Sequence, residues 1–425
     1  MKYRLFFYQF IHLFVLCSCS NHKQTELITV LKHQTIYLGE DFIGYGGFIT
    51  YYQGVVVGMD LSPSAQPFFC ITPNGSSQTL FRFGNKGQGP NDFLRPSSIQ
   101  YIDNLTIGAF DMMSRTYNEF IIPNEHEELK VDKKIEFQMP LTRVIKTASN
   151  KYIGLSIEEE MFLLADSTGM SVKTFFEYPY KDADERQFAS RSHAYQGILS
   201  TNPSKNKFVY SSFQGDIIHF YRIVNDNIKL IAKIENEYPL YRKRDDDYEG
   251  VAFHQNVKIG YIATYATDKF VYALYSGIKI NEIKSVNFEG VMLHVFDWNG
   301  VLVKKYELDV PCSYLCVSDD DSKIWAVASN PDIILVSFDL ENKQDNGIHA
   351  MLDMPDLEKK QSINRNAINY IIEVAKDGIQ DDETQKTQDS IKSQIMNGND
   401  MNLDNADVKI DTIADNLIKI QFNLR

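Results

Sequence analysis

The sequence predicts an all-β fold: a six-bladed β-propeller over residues 26–345, followed by an acidic C-terminal extension over residues 346–425. Three observations support this prediction. Helical periodicity is nearly absent before residue 360, whereas one unit recurs: an alternating apolar run, a polar turn and a second alternating run. The unit repeats at a spacing near that of a four-stranded blade, about 40–50 residues. The 27 phenylalanines and 24 tyrosines suit the wedges between blades that pack face to face.

Six such units are interpreted as the outer hairpins of six blades, the last being half a unit: residues 68–83, 106–122, 161–178, 217–234, 291–308 and 332–343. Asn74-Gly75 and Asn299-Gly300 predict tight turns in which both residues have positive φ. Apolar runs between the hairpins predict the inner strands: residues 206–213, 268–277 and 322–329.

The sixth unit has no second half, because the sequence becomes polar after Leu340. A ring of sheets must close its last blade with a strand from the other terminus or leave an exposed edge. Residues 26–32 and 34–40 are the candidates for that closing strand. Two stacked β-sandwich domains are the alternative architecture, which the single recurring unit makes less favoured.

The C-terminal extension is expected to be partly helical or disordered. Residues 364–379 place apolar side chains on one face of a short helix. Residues 377–415 are acidic and lack aromatic side chains, which predicts a mobile segment; a partner-binding helix is the alternative. Residues 416–425 alternate enough to pair as a strand.

The N-terminus has the features of a bacterial lipoprotein signal. Lys2 and Arg4 precede an apolar run too short to span a bilayer, and the run ends in two small residues before Cys19. We therefore expect residues 1–18 to be removed, Cys19 to be acylated and residues 19–25 to form a tether. An ordinary cleaved signal and a membrane-spanning anchor are the alternatives. No acidic residue stands directly after Cys19, so nothing there favours retention in the inner membrane. We therefore expect a lipid-anchored protein of the cell envelope, in the outer membrane, facing the periplasm or the outside.

The charge balance excludes one class of partner. The whole chain has a formal net charge of −13, and loss of Lys2 and Arg4 makes the mature chain more negative still. Such a surface repels nucleic acid and anionic headgroups, so membrane contact is expected only through the acyl chains on Cys19.

The cysteines and histidines predict neither a disulfide framework nor a metal site, and we expect no cofactor. Cys70, Cys312 and Cys316 are scattered; Cys312 and Cys316 lie four residues apart on one strand, roughly 13 Å from each other, beyond bridging distance. They are expected to be buried small hydrophobic residues. No His or Cys pair has ligand spacing. The acidic run 319–321 is interpreted as a solvated turn, and the run 245–247 as neutralised by the basic residues 242–244 before it, with a poor fit to a calcium loop.

The glycine-rich stretch FRFGNKGQGPNDF over residues 81–93 is predicted to be a structural connector between blades. Gly84, Gly87, Gly89 and Pro90 have neither the spacing of a dinucleotide fingerprint nor the Gly-Lys-Ser/Thr of a P-loop. No helix follows them, so no helix N-terminus is available for a phosphate. The glycines are expected to give backbone angles that other residues avoid.

The connector also resembles the G-x-G-P-x-(D/E)-F segment of the six-bladed, TolB-like propeller lipoproteins of Bacteroidetes. Residues 268–277 and 292–309 are similar to later blades of that family, and the similarity extends over residues 44–340. It departs at Asn91, where many members have glycine, and after residue 345. The resemblance implies a propeller fold and an envelope location; members mostly have no assigned activity.

One segment is a candidate for ligand contact. Residues 238–254 lie in the longest step between hairpins, and Tyr241, Arg242, Arg244 and His254 could contact a glycan or a peptide there. A solvated loop between blades is the alternative interpretation. Two function classes follow: a binding or scaffold module for a protein, peptide or glycan, and a hydrolase or lyase whose residues converge in the central channel.

Overall fold

The computed structural model describes most of the ring and a C-terminal hairpin. The described residues are 28–36, 43–63, 66–72, 80–103, 105–187, 190–244, 250–283, 288–329 and 333–340, with the backbone of 406–414 and 417–424. The chain divides into two units, Met1–Leu340 and Glu341–Arg425. Within the described residues, no helix combines the length and apolar character needed to cross a bilayer. The predicted signal and tether, residues 1–25, lie outside the described residues.

Two short strands, β1 (Ile28–Leu31) and β2 (His33–Ile36), precede the first blade. Blade one contains β3 (Gly46–Tyr52), β4 (Val55–Asp60), β5 (Phe68–Ile71) and β6 (Leu80–Phe83). The connection to blade two contains the parallel pair β7 (Asn85–Lys86) and β8 (Asp92–Phe93). Blade two contains β9 (Pro96–Asp103), β10 (Thr106–Asp111), β11 (Thr116–Ile121) and β12 (Lys133–Glu136).

Blade three contains β13 (Leu141–Lys146), β14 (Tyr152–Ser156), β15 (Glu160–Ala165) and β16 (Ser171–Glu177). Two single-turn helices follow, α1 (Ala183–Arg186) and α2 (Arg191–Ala194). Blade four contains β17 (Gly197–Thr201), β18 (Lys207–Ser212), β19 (Asp216–Val224) and β20 (Asn227–Glu237). The next connection contains the antiparallel ribbon β21 (Tyr241–Lys243) and β22 (Val251–Phe253).

Blades five and six share one long strand. Blade five contains β23 (Tyr261–Ala266), β24 (Phe270–Tyr275), a 3₁₀ turn (Ile280–Glu282), β25 (Gly290–Asp297) and β26 (Leu302–Val317). The first half of β26 pairs with β25, and its second half, from Cys312, pairs with β27 (Lys323–Ser329) as the innermost strand of blade six. Strand β28 (Ile333–Asp339) follows in blade six.

The N-terminus closes the ring. Strand β2 pairs antiparallel with β28, with His33 opposite Phe338, and supplies the fourth strand of blade six. Strand β1 lies parallel to the first half of β26, with Ile28 opposite Lys305. The prediction of six blades closed by an N-terminal strand is therefore confirmed, and the closing strand is His33–Ile36.

One hairpin occupies a different place in its blade from the one predicted. Residues 106–122 form β10 and β11, the two middle strands of blade two, and the outermost strand is β12. The other complete units are outer pairs, as expected. Because a long loop separates β11 from β12, these two strands do not form a hairpin with a short turn, and the sequence pattern did not predict the outermost strand.

The turn chemistry also differs from the prediction. At Asn299-Gly300 only the glycine has positive φ (+78°), and the Asp297 carboxylate accepts hydrogen bonds from the N–H groups of Asn299 and Val301, each at 2.9 Å. Two other two-residue turns of the described residues have both φ angles positive: Gln53-Gly54, at +46° and +90°, and Asn225-Asp226, at +48° and +60°. Asn74-Gly75 lies outside the described residues.

Aromatic and aliphatic side chains fill the wedges between blades. The described residues contain six clusters of buried hydrophobic side chains, and each joins two neighbouring blades. Phe68, Phe83 and Phe120 pack between blades one and two, for example. The three cysteines of the ring are free and buried within these clusters, as predicted.

The C-terminal unit contains β29 (Ala406–Ala414) and β30 (Leu417–Leu424), which pair antiparallel. The prediction that the last residues pair as a strand is confirmed. The predicted mobile segment, residues 377–415, lies mostly outside the described residues; its final part contains strand β29, which the sequence did not predict. The predicted helix over residues 364–379 also lies outside them.

Candidate functional site

The strand directions give the ring two different faces. Neighbouring strands of each blade are antiparallel, so every innermost strand begins at the face where the chain arrives from the previous blade. We call this the connection face, and the opposite one the turn face. The three longest connections between blades lie on the connection face: residues 84–95, 178–196 and 238–260.

A cavity of about 160 Å³ lies at the centre of the ring, because the innermost strands of all six blades contribute to its wall. Four tyrosines line it, with hydroxyl and amide side chains between them. Arg143 and Asp319 are the charged residues of the lining, and no histidine is among the described residues there. The wall is tied together by side chains: the Gln100 amide donates to the Lys146 carbonyl at 3.1 Å, and its oxygen accepts from the Lys146 N–H at 2.7 Å.

Arg143 is the main cationic feature of the cavity, near the start of β13. Its guanidinium lies 5.4 Å from the ring centroid of Phe48 and 5.6 Å from that of Phe213, and Nη1 donates to the Thr142 carbonyl at 2.7 Å. The Nε atom is buried and has no acceptor among the described residues. Burial lowers the pKa of Arg143 to about 10, so the side chain is still a cation at neutral pH.

Buried aspartates fix the chain that frames the connection face. The Asp111 carboxylate, at the end of β10, accepts hydrogen bonds from the N–H groups of Leu94 and Arg95, the latter at 2.9 Å. Asp60, at the end of β4, binds the N–H of Gly44 in the same way and also pairs with Arg82 at 2.9 Å. Burial acts to raise the pKa of Asp60, but hydrogen bonds from Ser62 and its other donors hold it below its usual value. Arg95 is thereby held close enough to Arg143 for its positive charge to lower the pKa of the Arg143 guanidinium.

Aromatic rings narrow the cavity at the turn face. Tyr52 stacks on Tyr101 with ring centroids 3.8 Å apart, and Tyr51 stacks on Trp325 at 4.3 Å. Asp319 lies beside them and accepts a hydrogen bond from the Gln53 N–H at 3.4 Å; burial raises its pKa. This end combines ring surface with one carboxylate, whereas the connection-face end combines ring surface with a cation.

The glycine-rich connector is closed around its own aspartate. Gly84 has φ of +78°, and a Cβ on Gly87 or Gly89 would lie 2.5 or 2.6 Å from Asp92 Oδ2. The Gly89 N–H donates to Asp92 Oδ2 at 2.9 Å, so that donor is already occupied. The carbonyl of Pro90 accepts from Lys134 at 3.4 Å.

Asn91 stands where the resemblance leads one to expect glycine, and its side chain joins the connector to the next blade: its Oδ1 accepts from the Val131 N–H at 3.1 Å. The hydrogen bonds described here join the connector to its own aspartate and to blade two.

The four predicted ligand-contact residues lie outside the cavity wall. Tyr241 packs edge-on against Tyr195 with ring centroids 6.3 Å apart, and burial beside Glu185 raises its pKa. Arg242, Arg244 and His254 are exposed on or beside the β21–β22 ribbon, whose position on the connection face follows from the topology. His254 Nδ1 accepts from the Asn256 N–H at 3.1 Å.

Arg143 was missed by sequence reasoning. The only available signal was a cation inside the apolar run LTRVIK, a pattern that an exposed strand residue produces equally well.

A second group of titratable residues lies inside blade four. His219 contacts Glu235 Oε1 through Nε2 at 2.9 Å and the Tyr221 hydroxyl through Nδ1 at 3.0 Å. Burial lowers the pKa of His219, and the hydrogen bond from His219 lowers the pKa of Glu235 to about 2. Tyr238 donates to Glu235 at 3.0 Å. Because these groups satisfy one another within the blade, they are a structural network.

Comparisons with known proteins identify one matching family model and several distantly similar solved structures. The family model of TolB-like, six-blade propeller-like proteins matches residues 26–320. A protein of Bacteroides fragilis described as exported is similar in structure, with 13% identity, coverage of 75% of this chain and 97% of that chain, and a TM-score of 0.47. Regucalcin from Agrobacterium tumefaciens, a calcium-binding protein, has 9% identity, coverage of 73% and 95%, and a TM-score of 0.43. A comparison with curated proteins found no match.

Proposed function

Because the chain belongs to the TolB-like, six-blade propeller-like family, we propose that it is a lipid-anchored binding module of the cell envelope whose axial cavity holds part of a protein, peptide or glycan partner, or a small ligand. The observation that carries this proposal is the cavity itself. Its wall comes from all six blades, and it presents ring surfaces together with Arg143 at the connection-face end. Concave sites with a mostly apolar wall and a few placed polar groups are typical of ligand binding.

The lining favours binding over hydrolase or lyase chemistry. An acid–base pair needs two titratable groups within reach of one substrate. The described lining has one carboxylate, Asp319, and it lies toward the turn face, whereas Arg143 lies toward the connection face. His219 and Glu235 are already paired within blade four. Turnover of a bound ligand is therefore the result that would favour an enzyme.

The envelope location rests on the N-terminal sequence. Acyl chains on Cys19 would hold the protein at the outer membrane through the short tether of residues 19–25. The first strands after this tether, β1 and β2, pair with blades five and six, so a lipid anchor would be joined directly to the closure of the ring.

A binding screen with a cavity-filled variant tests the proposal. The mature chain carrying Cys19→Ser is screened against glycans and peptides and used to capture partners from envelope extracts. In the Ile99→Trp variant, a cavity-lining residue of β9 gains volume; in the matched control, Val172→Trp, the change lies on the exposed outer strand of blade three.

We expect the parent and the control to retain a ligand that Ile99→Trp loses, while all three variants unfold at similar temperatures without ligand. Retention by Ile99→Trp would place binding elsewhere. Turnover of the ligand by the parent protein would favour the enzyme instead.

A further inference from the structure

Arg143, which is half-buried and has a buried Nε atom, differs from the buried charged groups of the ring. A buried charge is costly unless an opposite charge or several hydrogen bonds compensate for it. Glu119 is paired with Lys146 at 2.7 Å, Asp60 with Arg82 at 2.9 Å, and the guanidinium of Arg191 lies 3.8 Å from Glu177. No ion pair joins Arg143 to a carboxylate within the part of the chain that the structure describes, and its charged neighbour Arg95 is a second cation.

The surroundings of Arg143 suit an incoming anion. Phe48 and Phe213 hold the guanidinium by cation–π contacts, which orient it without neutralising its charge. Nη1 donates to the Thr142 carbonyl, and the buried Nε at the other edge has no acceptor among the described residues. That edge of a guanidinium presents two parallel N–H donors, which match the two oxygens of a carboxylate.

The cavity limits the size of the ligand. Its volume of about 160 Å³ is close to that of a protein cavity of about 150 Å³ that takes up one benzene molecule. The four tyrosines of the cavity wall offer ring surface rather than further cations. A bare inorganic anion would leave that surface unused, whereas an acid with a ring-sized body would cover it.

Resting on the proposed function, we propose that Arg143 binds the carboxylate of a small organic acid whose ring-sized body lies in the axial cavity. The net charge of the chain repels such a ligand at long range, but at physiological ionic strength this repulsion is screened beyond about 8 Å. The short-range contact with Arg143 therefore decides the affinity for such an acid.

The test uses a matched pair of probes on the full mature chain. Benzoate and benzamide have nearly the same shape, and only benzoate is charged. Binding of each is measured by ligand-observed NMR and calorimetry at constant ionic strength, with inorganic phosphate as a third probe. The variants are Arg143→Met, Arg143→Lys and the control Arg115→Gln, an exposed arginine that also lies on the connection face.

We expect the parent and Arg115→Gln to prefer benzoate over benzamide by about ten- to a hundred-fold, as a bidentate bond between charged groups provides. Arg143→Met should lose that preference, and Arg143→Lys should keep only part of it because it lacks the fork. Equal affinity for the two probes, stronger binding of phosphate than of benzoate, or no binding of benzoate would each overturn the proposal.

Thermal unfolding separates a binding role from a structural one. Arg143 forms no ion pair among the described residues, so Arg143→Met leaves no carboxylate buried without its partner and should unfold at a temperature close to that of the parent. A large decrease would mean that Arg143 is held by a structural partner, against the proposal. If benzoate fails but a ligand from the screen is still lost in Ile99→Trp, the carboxylate inference fails and the binding function stands; if Ile99→Trp also keeps that ligand, both fail.

Discussion

Replacing Ile36 by alanine should weaken the closure of the ring. Ile36 is 5% exposed and lies on the closing strand β2, opposite Leu335 of β28. It packs in the cluster that joins blades six and one, together with Trp325. Its truncation removes apolar contacts from both blades at the one place where the ring is held by hydrogen bonds between its two ends.

The expected loss can be estimated from burial. Truncating a buried isoleucine to alanine costs about 2–5 kcal/mol, depending on how far the site relaxes. In a domain of this size, 1 kcal/mol corresponds to roughly 2 °C in the unfolding temperature. Ile36→Ala should therefore lower the midpoint by roughly 4–10 °C. The chain has two tryptophans, and because Trp325 lies in the same cluster, tryptophan fluorescence reports on the region directly.

Thr35→Ala is the matched control, since Thr35 lies on the same strand with its side chain exposed. Its effect should be under about 1 kcal/mol, the span of strand propensities. Midpoints are measured on the mature chain by fluorescence and circular dichroism during heating. If Ile36→Ala and Thr35→Ala shift the midpoint equally, the N-terminal strand does not carry the closure, and the reasoning from burial is refuted.

Three further predictions concern the lipid anchor, the acid stability and the C-terminal extension. Cys19→Ala should abolish incorporation of labelled fatty acid; labelling that survives the substitution would exclude acylation at Cys19. Because the folded-state pKa of Glu235 is lowered to about 2, its stabilising effect is complete above its unfolded pKa of about 4.3 and is lost as the pH falls toward 2. Glu235→Gln should thus lower the unfolding temperature at pH 7 more than at pH 3, and an equal effect at both would contradict the assigned shift. Truncation after residue 376 should leave the ring's unfolding temperature unchanged, and a large decrease would mean that the extension packs on it.

The three longest connections between blades surround one end of the proposed binding cavity. Three segments lie on the connection face, at the end of the cavity where Arg143 lies: the glycine connector, the connection that contains α1 and α2, and the β21–β22 ribbon. Arg242, Arg244 and His254 lie on or beside the ribbon, on the same face as that end of the cavity. The predicted ligand-contact loop remains a hypothesis in this form: a rim around the cavity rather than its wall.

Local patterns in the sequence determined the strands, most of the outer hairpins and the place of the glycine connector between two blades. Alternation with a period of two residues reports which side chains face a packed sheet, and this depends only on neighbours along the chain. The same information showed that the last blade lacked a strand, because the polar change after Leu340 is visible without any structure. It also showed that aromatic side chains would fill the space between blades.

Tertiary structure alone decided which strand closes the ring, which hairpin of blade two lies in the middle, and what surrounds Arg143. Strand β2 meets β28 across about three hundred residues, as in the pair His33 and Phe338. Phe48 and Arg143 lie on the innermost strands of blades one and three, and Phe213 follows β18 of blade four; they meet only because the blades converge on one axis. Pairing over such distances depends on how all six sheets pack at once, and the alternation within any one strand is the same whether its cation faces solvent or the channel.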